Sequence, residues 1–396
     1  MQNLTATNKR LSHLHLTRRS RIFVVYNRDR MELPKEFIEH TTALFGEERY
    51  RRFEAGLQEE PVVSVRTNPA KPYAEWEGEK VAWAESGRYI ENRPSFTADP
   101  LFHAGCYYVQ EASSMFVERV LQEYVKEPVV MLDLCAAPGG KSTLCRSALP
   151  EGSLLVANEV MRNRSQILAE NLIKWGHPEV VVTNNDPADF TDLTHLFDVI
   201  LTDVPCSGEG MFRKDQVAVD EWSLENVDIC WKRQRRILAD IWPALKPGGI
   251  LIYSTCTFNR EEDEDNVAWI AKELDADVLS VPVEDSWGIT GNLTGKDFPV
   301  YRFLPHKTKG EGFFLGVLKK RADVLDETPR RFLKTSARLD KKKKGKDAKQ
   351  PLVVPKEAKT WLEDNSEYAL AMKDTNVVAF PKAYENEYAL LQQTLK

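Results

Sequence analysis

The sequence predicts an α/β protein built around an open, doubly wound and mostly parallel sheet. After Glu127, five apolar runs each end in polar or small residues, namely VVMLDLC, SLLVANE, EVVVTNND, FDVILTDV and GILIYSTC. Segments of helical length lie between them, including Arg162 to Trp175 and Leu224 to Leu245. Strands that are apolar throughout and alternate with helices indicate a buried parallel sheet. The right-handed crossover rule then gives the doubly wound arrangement, with a ligand beyond the carboxyl ends of the strands.

The composition is that of an ordinary globular protein. The 396 residues are enough for two or three domains, and no apolar run is long enough to cross a bilayer. The Arg-rich N-terminus lacks the central apolar stretch of a secretory signal. The six cysteines lack the paired spacing of a zinc site, so we expect a cytoplasmic, metal-free protein with reduced thiols. The net charge of −6 argues mildly against nucleic-acid binding, but affinity for a polyanion needs only a local basic surface.

The chain divides into four predicted segments. Residues 1–30 form a basic leader with one acid, and we expect Met31 to be the natural first residue, the leader being a gene-start artefact or a disordered arm. Residues 31–118 predict a small α+β module, with a helix starting near Pro34 and the β-like runs VVSVRT, VAWAES and RYI. Residues 119–320 hold the parallel sheet. Residues 321–396 begin as a basic linker that fits a polyanion contact or a plain solvated tether, and then carry too few apolar residues for an independent core.

The loop after the first strand of the sheet predicts a ligand site. It runs Cys135, Ala136, Ala137, Pro138, Gly139, Gly140, Lys141. Small residues and two glycines allow a ligand to approach the backbone closely at the start of a helix. The pattern is neither the dinucleotide motif GxGxxG nor a phosphate loop, which disfavours a nicotinamide enzyme.

Acidic residues follow the next three strands. Glu159 ends the second strand, Asp186 follows the third and Asp203 ends the fourth. Any one of them could simply cap the helix that follows. Three around one crevice favour a ligand that carries a ribose and an amine, such as S-adenosylmethionine.

Two cysteines lie at the ends of neighbouring strands. Cys206 follows the fourth strand and Cys256 the fifth, so both thiols should face the crevice of the ligand loop. A lone cysteine is usually a small buried hydrophobe, which is our interpretation of Cys106, Cys145 and Cys230. Metal binding by the pair is the weaker alternative, because no His or further Cys lies nearby in sequence.

Methylation of carbon 5 of cytosine would explain why thiols are needed beside a methyl donor. Carbon 5 is a poor nucleophile until a thiolate adds to carbon 6. Asp203 is placed to protonate or hydrogen-bond the ring at N3, which eases that addition. The proton on carbon 5 must then leave, and a second thiol is a plausible agent. Such chemistry requires an unstacked or flipped base. Spacing alone does not rank the two thiols.

The motifs resemble those of the RNA (cytosine-5)-methyltransferases of the RsmB/RsmF type, which include the Nol/Nop/Sun proteins. The matching stretches are DLCAAPGGK, NE at the second strand end, ND before Pro187, TDVPCSGEG and YSTCTFNREEDEDN, with shorter echoes in SVRTNPAK and QEASSM. They cover roughly residues 62–320. The resemblance implies a Rossmann-like S-adenosylmethionine-dependent methyltransferase with an N-terminal RNA-binding module. GEGMFRKD resembles the RsmF-like branch, which acts on 16S ribosomal RNA.

The resemblance also implies residue roles. It makes Cys256 the nucleophile and Cys206 the agent of product release, whereas in DNA cytosine-5 methyltransferases the Pro-Cys thiol attacks. It assigns the loop from Cys135 to Lys141, with Glu159, Asp186 and Asp203, to S-adenosylmethionine, and it places Asp203 and Lys141 in the catalytic set. Arg213 and Lys214 would contact RNA phosphates, although exposed basic loop residues are common, and so would the cluster Lys232, Arg233, Arg235 and Arg236, for which a solvated helix face is equally plausible.

The residues leave other functions open. The expected substrate is ribosomal RNA or the small ribosomal subunit, with transfer RNA as an alternative, and the expected state is a monomer. A methyltransferase acting on DNA, protein or an exocyclic amine is disfavoured, because an amine offers a lone pair and needs no thiol. A non-catalytic RNA-binding assembly factor would not need intact thiols and acids, though a fold does not prove turnover. The leader has no counterpart in the family, and the chain stops at Lys396, within the C-terminal module that the RsmF-like proteins lead us to expect.

Overall fold

The N-terminal part combines helices with a small antiparallel sheet. The structure is a computed structural model, and it describes residues 31–73, 76–322, 353–362, 366–373 and 375–395. The elements are α1 (Lys35–Phe45), α2 (Glu47–Leu57), β1 (Val63–Thr67), β2 (Gly87–Ile90), α3 (Pro100–His103), β3 (Tyr107–Val109) and α4 (Val117–Tyr124). Strand β1 pairs antiparallel with β2 and β3. The helix predicted near Pro34, which is the N-cap of α1, and the strands predicted in VVSVRT and RYI are confirmed.

One strand prediction in this part is wrong. The run VAWAES forms turns rather than a strand. Its side chains Val81, Trp83 and Ala84 are nonetheless buried, because the turns lie against the main apolar core. The run is apolar because its side chains are buried, although its backbone does not pair with a strand, and this gave it the composition of a strand.

The central sheet has the predicted doubly wound topology. Its strands are β4 (Val130–Asp133), β5 (Leu154–Asn158), β6 (Val180–Thr183), β7 (Phe197–Asp203), β8 (Leu245–Thr255), β9 (Ala276–Leu279), β10 (Tyr301–Phe303) and β11 (Phe313–Lys320). The order is β10-β11-β8-β7-β4-β5-β6, and β9 pairs with β11. The five strands from β4 to β8 are parallel, while β9, β10 and β11 add antiparallel pairs at one side. Chain order reverses between β4 and β7, where such sheets bind ligands.

Helices cover both faces of the sheet. They are α5 (Gly140–Ala148), α6 (Arg162–Trp175), α7 (Gln216–Asp220), α8 (Leu224–Ile241) and α9 (Glu264–Glu273). The segment predicted from Arg162 to Trp175 is confirmed as α6. The prediction for α8 is four residues too long, because Pro243 lacks the N–H that a continuing helix needs and Trp242–Ala244 forms a 3-10 turn.

Two apolar cores lie on opposite faces of the sheet. On one face, Trp83 and Phe116 of the N-terminal part join Met131, Leu155 and the side chains around them. On the other, side chains of α8 pack against the strands. The predicted segments 31–118 and 119–320 therefore share a core, and Pro34–Lys396 forms one compact unit.

The C-terminal part adds a hairpin and a helix. Strands β12 (Tyr368–Lys373) and β13 (Asn376–Pro381) pair antiparallel, and α10 (Glu385–Thr394) follows. Leu391 of α10 is buried in the second core, so this part packs on the sheet domain instead of forming its own core. The predictions for the leader and for the basic run Lys341 to Lys344 lie outside the described residues. Among the helices that the structure describes, none is long and apolar enough to cross a membrane.

Candidate active site

The ligand loop leaves the carboxyl end of β4 and enters α5. Gly139 has φ +113° and caps the helix, and a side chain there would meet Leu168 at 3.3 Å. Asp133, at the end of β4, is fully buried and accepts a hydrogen bond from Ser142 Oγ at 2.6 Å on one oxygen. Its other oxygen, Oδ1, is buried with no hydrogen-bond partner among the described residues. Burial raises the pKa of Asp133 to about 7. Gly139 thus allows the loop to pack closely on α6, and Asp133 leaves one buried acceptor oxygen unsatisfied beside the loop.

The acids after β5 and β6 bond to the turns that follow them. Glu159 is buried, and its carboxylate accepts from the Met161 N–H at 2.8 Å and lies 3.3 Å from Arg164 Nη1. Asp186 is exposed over 44% of its side chain and accepts from the Ala188 N–H at 3.0 Å. Burial alone would raise the pKa of Asp186, but the Ala188 N–H and the Arg236 guanidinium outweigh it and lower the pKa. Asp186 therefore caps the short 3-10 helix Pro187–Phe190, as the capping interpretation expects, whereas Glu159 bonds to the turn before α6 and does not cap that helix. Each carboxylate keeps acceptor capacity for a ligand.

Asp203 joins the ligand loop to β8. Lys141 Nζ donates to Asp203 Oδ2 at 2.9 Å, and Ser254 Oγ donates to Oδ1 at 2.8 Å. Burial would lower the pKa of Lys141, but the Asp203 carboxylate more than offsets it and the pKa is raised. The Lys141 ammonium also lies 5.3 Å from the centre of the Phe313 ring. The sequence predicts Lys141 and Asp203 in the same crevice, and in the structure the two side chains form an ion pair.

The two predicted thiols lie side by side. The Sγ atoms of Cys206 and Cys256 are 3.1 Å apart, and the Cys256 N–H donates to Cys206 Sγ at 3.4 Å. Parallel pairing of β7 with β8, with Asp203 opposite Ser254, sets this register. The hydrogen bond from Cys256 and burial raise the pKa of the Cys206 thiol. Cys106, Cys145 and Cys230 are buried elsewhere, as predicted for small hydrophobes.

The structure contradicts the phosphate contact predicted for Arg213. Its side chain is 2% exposed, and its Nε donates to Glu311 Oε2 at 2.7 Å. A guanidinium in a buried ion pair is not available to a phosphate. Lys214 is 31% exposed with its Nζ 3.5 Å from Glu311 Oε1, so it remains accessible.

The basic residues of α8 are mostly engaged with other side chains. Arg235 donates to Asn266 Oδ1 at 2.8 Å and stacks on the Trp231 ring. Lys232 pairs with Asp228, and Arg236 pairs with Asp186 and Asp240. Arg233 is exposed. The solvated, paired helix face describes this cluster better than a phosphate site does.

Some residues of the site were missed by the sequence predictions. Ser254 holds Asp203, and side chains two apart on a strand share a face, so its position before Cys256 was the available signal. Glu209 and Glu262 lie buried beside the thiol loops, and nothing in the local sequence marks them as buried, since the acids next to Glu262 range from partly exposed to fully buried. Among the described residues, no group of His, Cys, Asp and Glu is arranged to hold a metal ion.

Comparison with known families identifies the chain. Residues 120–319 match the model of the 16S rRNA methyltransferase RsmB/F family. The chain belongs to the RsmB/F family. Residues 33–112 match the N-terminal domain of the 16S rRNA methyltransferase RsmF. These spans fall within the predicted segments 31–118 and 119–320.

Curated members of the RsmB/F family are similar over much of the chain. A ribosomal RNA small subunit methyltransferase F of Vibrio atlanticus is 30% identical over 368 residues, which is 89% of this chain and 77% of that protein. Proteins of the same description from Klebsiella pneumoniae and Pectobacterium atrosepticum are 37% and 34% identical over 64% of this chain. The chain matches 54% and 53% of their lengths, about half in each case.

Solved structures of other proteins share this fold. A methyltransferase homolog protein from Pyrococcus horikoshii has a TM-score of 0.62 at 26% identity, covering 74% of this chain and 96% of that one. NSun6 from Pyrococcus horikoshii with SFG has a TM-score of 0.64 at 22% identity, covering 73% and 99%. The predicted fold class, a Rossmann-like methyltransferase domain with an N-terminal α+β module, is confirmed.

Proposed function

We propose that this chain methylates carbon 5 of a cytosine in RNA, with 16S ribosomal RNA as the substrate and S-adenosylmethionine as the methyl donor. The observation that carries the proposal is the pair of thiols 3.1 Å apart, beside the Lys141–Asp203 ion pair. A thiol is the group that cytosine C5 chemistry needs, and a base held against this pair would meet both sulfurs. The names of the curated relatives support the RNA substrate.

The residues around the ligand loop fit S-adenosylmethionine. Asp133 Oδ1, which is buried without a partner among the described residues, and the carboxylate of Glu159 offer acceptors to an amine and to ribose hydroxyls. The N-terminus of α5, which begins at Gly140, can accept a carboxylate. The residues that would hold it run from Cys135 to Lys141, with Glu159, Asp186 and Asp203. When bound, the sulfonium supplies an electrophilic methyl group.

The two thiols divide the remaining work. The Cys256 thiol gives up its proton and its thiolate adds to carbon 6, while N3 takes up one proton by way of Asp203 and Lys141. The net transfer of one proton from the thiol to N3 makes carbon 5 the nucleophile.

After the methyl group is on carbon 5, the proton there must leave as the bond between carbon 6 and Cys256 breaks. Cys206, whose pKa is raised, starts as a thiol and gives its proton to solvent, and its thiolate is then a strong base. This thiolate takes the carbon 5 proton while the bond between carbon 6 and Cys256 breaks, its electron pair returns to the Cys256 sulfur, and the proton on N3 leaves. The assignment of the attack to Cys256 follows the resemblance to the RNA cytosine-5 methyltransferases.

The test is direct. Purified protein, labelled methyl donor and RNA from cells that lack the gene should give labelled 5-methylcytosine in 16S RNA, mapped by bisulfite sequencing. Label in transfer RNA instead would move the substrate to that class. Full binding to RNA with no labelled cytosine would leave a non-catalytic assembly factor. We also infer that the protein acts in the cytoplasm as a monomer, which gel filtration checks for the oligomeric state.

A further inference from the structure

The loop after each thiol carries a carboxylate that is completely enclosed. Glu209 follows Cys206 by three positions and is 1% exposed, and Glu262 follows Cys256 by six and is 0% exposed. Burying a carboxylate lowers the stability of the fold unless hydrogen bonds satisfy it. The hydrogen-bond partners of Glu209 and Glu262 therefore indicate the role of each carboxylate.

Glu209 binds the loop of the other thiol. Its Oε2 accepts from the backbone N–H of Phe258 at 2.6 Å and of Asn259 at 3.1 Å, which directly follow the Cys256 motif. Its Oε1 accepts from Trp222 Nε1 at 3.0 Å. A carboxylate from the Cys206 loop thus fixes the backbone beyond Cys256.

Glu262 makes the reverse connection. Its carboxylate accepts from the Ser207 N–H, with distances of 3.1 and 3.4 Å to the two oxygens, and Ser207 directly follows Cys206. Gln234 Nε2 donates both to Glu262 Oε2 at 2.6 Å and to the Pro205 carbonyl at 3.1 Å. The backbone on both sides of Cys206 is therefore held from the Cys256 loop and from α8.

Asn259 links the two carboxylates. Its Nδ2 donates to Glu209 Oε1 at 2.9 Å and to Glu262 Oε1 at 2.8 Å. The Gly210 N–H also donates to the Cys256 carbonyl at 2.8 Å. A side chain at Gly210 would come within 2.5 Å of the Gly312 carbonyl, so the loops are packed as well as bonded. We call Glu209, Glu262 and Asn259 the carboxylate clamp.

We propose that Glu209 and Glu262 are positioning residues whose reciprocal bonds hold Cys206 Sγ at the correct distance from Cys256 Sγ for the release step. The proposal rests on the proposed cytosine C5 chemistry. Attack on carbon 6 needs one sulfur at the ring, whereas release needs both sulfurs at the same base. A misplacement of about 1 Å between reacting groups can lower a rate roughly 100-fold. Loosening the clamp should therefore slow release more than attack.

The variant Glu262→Gln tests the clamp in the full chain. Gln234 Nε2 donates to Oε2 of Glu262 and Asn259 Nδ2 donates to Oε1, so an amide must turn its NH₂ toward one donor and lose that bond. We expect turnover to fall about 30-fold, with KM for S-adenosylmethionine within twofold of the wild type. A covalent protein–RNA adduct should persist on denaturing gels. The double variant Glu262→Gln, Cys256→Ala should show no adduct, because the bond comes from Cys256.

The matched control is Glu261→Gln. Glu261 is the adjacent carboxylate, is 33% exposed and contacts His40 at 3.1 Å instead of a thiol loop. It should show no excess adduct. A merely structural role for Glu262 would lower the melting temperature without trapping RNA, so the adduct distinguishes positioning from folding. Glu209→Gln provides the second, independent variant and should trap RNA in the same way.

The outcomes separate the two proposals. If the wild type methylates cytosine but neither Glu variant retains adduct above the Glu261→Gln level, the clamp is refuted while the proposed function stands. If both variants unfold or lose activity without adduct, the carboxylates serve only the fold and the clamp is again refuted. If the wild type itself gives neither 5-methylcytosine nor adduct, the proposed function fails first.

Discussion

The carboxyl ends of the parallel strands are built in two different ways. We call the ends of β5 and β6, with Glu159 and Asp186, the acid half, and the ends of β7 and β8, with Cys206 and Cys256, the thiol half. At β5 and β6, Glu159 and Asp186 bond to backbone N–H groups two residues ahead of them. At β7 and β8, Cys206 and Cys256 are placed by residues up to about fifty positions away in the chain, through the carboxylate clamp. The two acids are thus held mainly by near neighbours in the chain, with one long-range partner in Arg236 of α8 for Asp186, whereas the backbone around both thiols is held by tertiary contacts. The comparison teaches that one crevice can combine side chains held mainly by their own turns with side chains whose placement depends on the whole fold.

Loss of the attacking thiol should produce the largest effect. Cys256→Ala should lower methylation by about 10⁴-fold or more and form no adduct with RNA, because no sulfur remains to add to carbon 6. Methylation is measured as tritium transferred to RNA, and the adduct is measured as the fraction of protein whose mobility is shifted on a denaturing gel. Cys230→Ala, at a buried cysteine on α8, is the control and should methylate normally. Trapped RNA in the Cys256→Ala protein would reverse the assignment of the thiols.

Loss of Cys206, the thiol proposed to act in release, should have a different effect from loss of Cys256, because the adduct should accumulate. Cys206→Ala should lower turnover by about 10³-fold and accumulate a covalent adduct, because attack proceeds and elimination stalls. Adduct is counted on denaturing gels after single-turnover mixing, with removal by nuclease confirming RNA. Normal turnover in this variant would show that another base removes the carbon 5 proton.

The thiol half should also affect stability through pH. Burial, then the nearby Glu209 carboxylate, raises the pKa of Glu262 from 4.5 to about 7. A carboxyl whose folded pKa is raised contributes stability below its unfolded pKa, and that stability is lost as pH rises through the folded value. The free energy of unfolding should therefore fall between pH 4.5 and 7, by about 3 kcal/mol at most from this group.

Urea unfolding at several pH values measures that slope. Glu262→Gln should make it less steep over this window, because the amide does not titrate, while the raised pKa of Asp133 continues to contribute. Glu261→Gln serves again as the comparison, since the pKa of Glu261 is lowered by its His40 partner against the opposing effect of burial. An unchanged slope in the Glu262→Gln protein would show that Glu262 does not carry the raised pKa.

The acid half should give the smallest effects, and unequal ones. Glu159→Gln should weaken S-adenosylmethionine binding about tenfold, because a buried carboxylate makes stronger hydrogen bonds to hydroxyls than an amide does. Asp186→Asn should weaken it about threefold or less, since Asp186 is 44% exposed and Asn caps as well as Asp. Calorimetric titration compares the two. A larger loss at Asp186 would reverse the ranking of the two acids.

The sequence predicted what local patterns control. The apolar runs predicted the parallel strands, and strand adjacency predicted that Cys206 and Cys256 would meet. Arg213 was predicted on a phosphate because nothing local shows that Glu311, almost a hundred residues away, holds it in a buried pair. Glu262 lies in the acidic run REEDEDN, where only tertiary packing decides which carboxylates are enclosed. Local sequence patterns could not predict these contacts, because the partners are brought together only by the tertiary fold.

The shared core has a consequence for how the protein unfolds. Trp83 and Phe116 of the N-terminal part pack with Met131 and Leu155 of the sheet in one apolar cluster. Neither part can lose its structure without exposing apolar surface of the other, so the two parts should melt as one cooperative unit. Calorimetry should then show a single heat-absorption peak for this region. A fragment that starts at β4 would expose the apolar surface around Met131 and Leu155 to solvent, and we expect it to aggregate.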